Sequence, residues 1–113
     1  MNLNQIIGLC DGEILNETSD IKDFRTAFSS DLMSDVLRWH SDNMILITGL
    51  ATIQTIRTAE VSGISCIVLA RGKKVSDEML ELAKESDIAI ITSSASMFEI
   101  SGKLYENGIR PLY

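Results

Sequence analysis

The chain has 113 residues, 45% of them hydrophobic, and ten Lys and Arg against sixteen Asp and Glu give a net charge of −6. That length suits a single domain with its own core, read here as residues 1–113. The negative balance and the scatter of the cations exclude a nucleic-acid binder, since Arg71-Gly72-Lys73-Lys74 is the nearest approach to a basic cluster.

No apolar run nears the roughly 18 residues of a membrane span. Residues 1–8 have no basic stretch ahead of an apolar one, so they are not a signal peptide. The expectation is a cytoplasmic protein with no membrane partner. Two cysteines and one histidine, without paired spacing, make neither a disulfide framework nor a zinc site, and no metal or cofactor is expected.

Residues 3–10 place Leu3, Ile6, Ile7 and Cys10 at helical spacing and stop at Asp11-Gly12. Glu13, Ile14 and Leu15 read as a short strand, residues 16–20 as a loop, and residues 21–28 as a strand near a sheet edge. Ser29 or Ser30 then caps a helix with Asp31 in its first turn. Leu32, Met33, Val36 and Leu37 form its apolar face, and it runs out near Trp39-His40.

From Met44 onward a strand-then-helix unit recurs. Residues 44–47, 64–69 and 88–91 are continuous apolar runs, the pattern of parallel strands covered on both faces. Residues 51–62 carry Ile53, Ile56 and Ala59 on one face and stop at Gly63, a left-handed helix end. Residues 76–85 start at a capping Ser76 with Asp77 and Glu78 behind it, and Met79, Leu80, Leu82 and Ala83 are apolar. Residues 94–107 offer Ser96 and Glu99 at capping-box spacing and stop at Gly108. Residues 109–112 add a terminal strand that Pro111 places at an edge. The fold class is α/β, a small layered sandwich with a mostly parallel sheet and right-handed crossovers.

In such a sheet, ligands bind outside the carboxyl ends of the strands. Those tips hold Thr48 and Gly49, then Arg71, Gly72 and Lys73, then Thr92, Ser93 and Ser94. Hydroxyls, free helix N–H groups and two cations suit a phosphate or a carboxylate. The same residues also read as helix caps (Thr48, Ser93, Ser94), turn formers (Gly49, Gly72) and solvated cations (Arg71, Lys73). The tips contain neither a P-loop nor a dinucleotide-binding glycine fingerprint. His40 has no nucleophile beside it, and Asp31, Asp35, Asp42 and Glu60 read as surface acids without a catalytic pair. Met33, Met79 and Met97 read as core filler. No catalytic residue is assigned, and the chain reads as a non-enzyme.

Leu32-Met33-Ser34, Met44 through Gly49, the helix end at Gly63, Cys66 through Leu69 with Gly72, and Ile88 through Thr92 follow one another in an order that resembles the DRTGG domain. The resemblance covers residues 31–109 and is weaker before them. That family accompanies CBS domains in some family II pyrophosphatases and occurs in phosphotransacetylases. It implies a fold like the N-terminal domain of HPr kinase. The Asp-Arg of the family's name falls here on Leu50-Ala51, and its Thr-Gly-Gly falls on Ala70-Arg71-Gly72, which keeps only the last glycine. What remains is the Thr48-Gly49 tip. The resemblance implies a non-catalytic regulatory module that works as a homodimer with a separately encoded enzyme as its protein partner. The alternative is a sensor that binds an anionic small molecule, a nucleotide or phosphometabolite, at the strand tips.

Overall fold

The protein is described by a computed structural model covering residues 1–18 and 23–112. Its elements run α1 (Leu3–Cys10), β1 (Glu13–Asn16), β2 (Thr26–Ser29), α2 (Met33–Val36), β3 (Met44–Thr48), α3 (Ile53–Ser62), β4 (Ile64–Leu69), α4 (Asp77–Glu85), β5 (Ala89–Thr92), α5 (Met97–Glu106) and β6 (Arg110–Pro111). The sheet order is β1-β5-β4-β3-β2-β6. Strands β2 to β6 are mutually parallel where they pair, and β1 runs antiparallel to β5 at one edge. The expected α/β sandwich with a mostly parallel sheet is the fold observed.

Successive side chains of a strand point to opposite faces, and the central strands β3, β4 and β5 are buried at all but one position because helices cover both. Ile45, Ile47, Cys66, Val68, Ala89 and Ile91 pack with Ile6 and Cys10 of α1 and Ile100 and Leu104 of α5. Met44, Leu46, Ile67, Leu69 and Ile90 pack on the other face with Met33 and Val36 of α2, Ile56 and Ala59 of α3, and Met79 and Ala83 of α4. Full burial of each Ile, Leu, Val or Met among them contributes about 1.5–3 kcal/mol. Met33 and Met79 are core residues as expected, while Met97 is half-buried against the α1/α5 layer.

Local signals set the element ends. Thr52, Ser76 and Ser96 each accept a hydrogen bond from the backbone N–H three residues on, at Thr55, Met79 and Glu99. Gly63 closes α3 with φ 78°. The box anticipated at Ser96 and Glu99 is only half made, because the Glu99 carboxylate turns to Lys103 at 3.3 Å. A complete box stands at α1, where Asn2 and Gln5 bond each other's backbone N–H at 2.9 and 2.8 Å.

The helix expected from Ser29 or Ser30 to Trp39 is corrected to the single turn Met33–Val36. The Ser30 hydroxyl accepts from Leu32 N at 3.0 Å and bends the chain before the helix begins, so neither serine caps it. Leu32 is its N-cap without a side-chain bond, and Leu32 and Leu37 are exposed instead of lying on an apolar face. His40 therefore sits in the following loop, its Nδ1 3.3 Å from the Val61 carbonyl and its Nε2 3.7 Å from Asp42. The strand anticipated over residues 21–28 is found as Thr26–Ser29, and its expected first residues at 21 and 22 lie outside the described ones. Asn16, read as the start of a loop, instead ends β1, with its buried Nδ2 donating to the Ile88 carbonyl at 2.7 Å.

Candidate functional site

Strands β3, β4 and β5 end level with one another. Thr48 pairs with Leu69, and Leu69 pairs with Thr92, so the residues that follow leave the sheet along one edge. The turn after β4 is tied to the next connection, with Arg71 N donating to the Ala95 carbonyl and Gly72 N to the Ser93 carbonyl, both at 2.9 Å. Arg71 and Gly72 both adopt φ 65°. That left-handed geometry costs Arg71 more than a glycine, and the bond to Ala95 helps hold it.

The sequence-predicted residues separate into two groups at this edge. Thr48, Gly49 and Arg71 come together, and the residue that joins them is Asp31, which sequence reasoning placed among surface acids. Asp31 Oδ1 accepts from Gly49 N at 2.6 Å and from Thr48 Oγ1 at 3.0 Å, and Arg71 Nη2 donates to Asp31 Oδ2 at 3.3 Å. The Thr48 hydroxyl in turn accepts from Leu50 N at 3.1 Å. Thr48 and Gly49 are buried, while Arg71 and Asp31 stay about half exposed. The Gly49 amide holds the Asp31 carboxyl below the usual carboxylate range, Thr48 and Arg71 add to this, and slight burial opposes it. Gly49 has no Cβ for a physical reason, because a Cβ there would run into the Arg71 guanidinium lying against it. The other arm of that guanidinium reaches Met97 Sδ at 3.7 Å.

The second group is structural or open. The buried Ser93 hydroxyl donates to the Cys10 carbonyl at 2.6 Å and accepts from Ala95 N at 3.1 Å, tying the end of α1 to the end of β5. Thr92 is half-buried in β5, and Gly72, Lys73 and Ser94 are exposed along the edge. Neither Thr48, Ser93 nor Ser94 caps a helix; that role falls to Thr52, Ser76 and Ser96. Asp31 could have been anticipated from sequence only through the Ser30 turn that keeps it out of a helix.

Elsewhere, a groove of about 320 Å³ runs between α5 and the β2/β6 edge, over Phe28, Ile47, Leu104 and Ile109. Among the described residues no three acids, histidines or cysteines are grouped to hold a metal ion, and no helix is long and apolar enough to cross a membrane.

Among solved structures, the chain is similar to the CBS and DRTGG domains of the regulatory region of Clostridium perfringens pyrophosphatase, crystallised with the activator diadenosine tetraphosphate. The TM-score is 0.77 at 20% sequence identity, over 90% of this chain and 45% of that one, so this chain spans less than half of its neighbour. No curated protein matches the sequence. Residues 5–106 match the DRTGG domain, which takes in strands β1 to β5 and the Asp31-bridged edge described above. The chain belongs to the DRTGG domain family.

Proposed function

We propose that residues 1–113 form one non-catalytic regulatory domain that works as a homodimer and acts on a separate enzyme. The observation that carries this reading is the state of the strand-tip edge. Thr48, Gly49 and Arg71 are engaged by Asp31, so the edge presents a closed polar pair and not an open substrate cleft. Leu32, 58% exposed, and Phe98, 89% exposed, are next in sequence to Asp31 and to the Met97 that touches Arg71. Large exposed apolar side chains on the segments that build a satisfied ion pair have the make-up of a protein contact. Two free buried thiols, Cys10 and Cys66, suit a reducing compartment such as the cytoplasm.

Sedimentation at low micromolar concentration tests the dimer. A dimer mass that falls to a monomer in Phe98→Asp supports it, and a monomeric wild type sinks it.

A second reading is a sensor of nucleotides at the same edge. It is favoured by the exposed Lys73 and Ser94 beside Arg71. It is also favoured by the nucleotide activator of the pyrophosphatase regulatory region to which the chain is similar. Thermal unfolding against adenine nucleotides reads it out, with a shift lost in Lys73→Ala expected and no shift with any nucleotide against it.

A further inference from the structure

We propose that Asp31 is a built-in stand-in for a phosphoryl group and that its carboxylate keeps a latent phosphate site closed. The inference rests on the sensor reading and adds how that site is regulated. The geometry around Asp31 is that of a bound anion. A main-chain N–H, a buried hydroxyl and a guanidinium converge on one carboxylate at 2.6, 3.0 and 3.3 Å. They come from the end of β3, the connection after it and the turn after β4, while the carboxylate comes from a fourth segment, the connection after β2. Donors of this kind, held by separate rigid elements, recognise tetrahedral oxyanions as readily as carboxylates.

A second observation concerns the space around these bonds. Residue 49 is a glycine whose missing Cβ leaves room for the Arg71 guanidinium. That guanidinium also reaches Met97 Sδ at 3.7 Å, a contact that does not involve Asp31. The carboxylate sits on a half-exposed side chain ahead of a one-turn helix, so opening the latch requires only that side chain to rotate outward.

A tethered carboxylate competes with any dissolved anion at a high local concentration, and it lowers the apparent affinity of the intact chain. Withdrawing Asp31 leaves the three donors in place and opens the site.

Inorganic phosphate is the probe, added at constant ionic strength with chloride as the control salt. Asp31→Ala is expected to rise in Tm by several degrees with phosphate over chloride, the wild type much less. The double variant Asp31→Ala with Arg71→Ala is expected to lose the rise. A folded Asp31→Ala indifferent to phosphate overturns the proposal, and so does a rise that survives in the double variant. Should Asp31→Ala not fold, Asp31→Asn keeps the shape and removes the charge. Its Gly49 amide resonance is then expected to move with phosphate further than in the wild type, and an unmoved resonance overturns the proposal. A wild type indifferent to nucleotides counts against the sensor reading alone, because the latch is judged on the Asp31 variants.

Discussion

Asp31 and Gly49, 18 positions apart, are joined by a 2.6 Å hydrogen bond from the Gly49 amide to the Asp31 carboxylate. The bond fastens the connection after β2 to the tip of β3, and through Arg71 to the turn after β4. A hydrogen bond to a charged group is worth about 1.5–3 kcal/mol, and solvent screening at a half-exposed carboxylate brings this down. Asp31→Asn should therefore lower stability by about 1 kcal/mol at neutral pH, measured by urea unfolding.

The same carboxylate gives stability a pH dependence of definite sign. Its folded pKa lies below the unfolded value, so its contribution is fully present above the unfolded pKa of about 3.9 and is lost as pH falls through the folded one. The wild type and Asp31→Asn should be separated in Tm at neutral pH and should converge in acid below about pH 4. Asp23 is shifted the same way by the N-terminal amine and Arg25, and comparison of the two proteins cancels it. A gap that persists unchanged at the acid end would refute the assignment to Asp31.

Two glycines should respond differently to alanine. At Gly12 a Cβ would lie 2.6 Å from Ile91 Cγ2 and 3.1 Å from the Thr92 carbonyl oxygen, neither of which can swing away. Overpacking of this kind costs about 1–3 kcal/mol. At Gly49 a Cβ meets only the end of the Arg71 side chain, which can turn into solvent. Gly49→Ala should lose the Asp31–Arg71 pair at a cost below about 1 kcal/mol. Denaturant midpoints rank the two, and a Gly49→Ala less stable than Gly12→Ala contradicts the geometry.

Ser93 is expected to act on stability and not on any ligand. Ser93→Ala leaves the buried Cys10 carbonyl without its 2.6 Å donor, a loss of about 1–2 kcal/mol. Its phosphate and nucleotide responses should match those of the wild type, and a changed response would return Ser93 to the site.

The thiols should be inert in the native state. Burial pushes the Cys10 thiol up to about 11 and raises Cys66 further, so neither carries appreciable thiolate at neutral pH. Iodoacetamide should label both only after denaturation. Rapid native labelling of either would mean that α1 opens from the sheet.

Much of the fold was legible because its signals are local. The apolar runs at residues 44–47, 64–69 and 88–91, interrupted only by Ser65, require cover on both faces, and helices supply it. Caps at Ser76 and Ser96 and the left-handed end at Gly63 follow from side-chain size and hydrogen-bonding reach. The segment before Met44 was misread where local signals compete. Ser30 and Asp31 look like the start of a helix, but the Ser30 hydroxyl bonds back to Leu32 N and Asp31 finds stronger partners across the sheet edge.

A parallel α/β sheet whose strands end in small and polar residues can be read from the chain alone, because periodicity and capping act between near neighbours. Which of those residues meet is set by the folding of the sheet and its crossovers. Ser93 turned inward to Cys10, and Thr48, Gly49 and Arg71 gathered around a carboxylate read as surface charge. Contacts across 17, 18, 40 and 83 positions are set by strand order and crossover geometry, which leave no period in the chain to read.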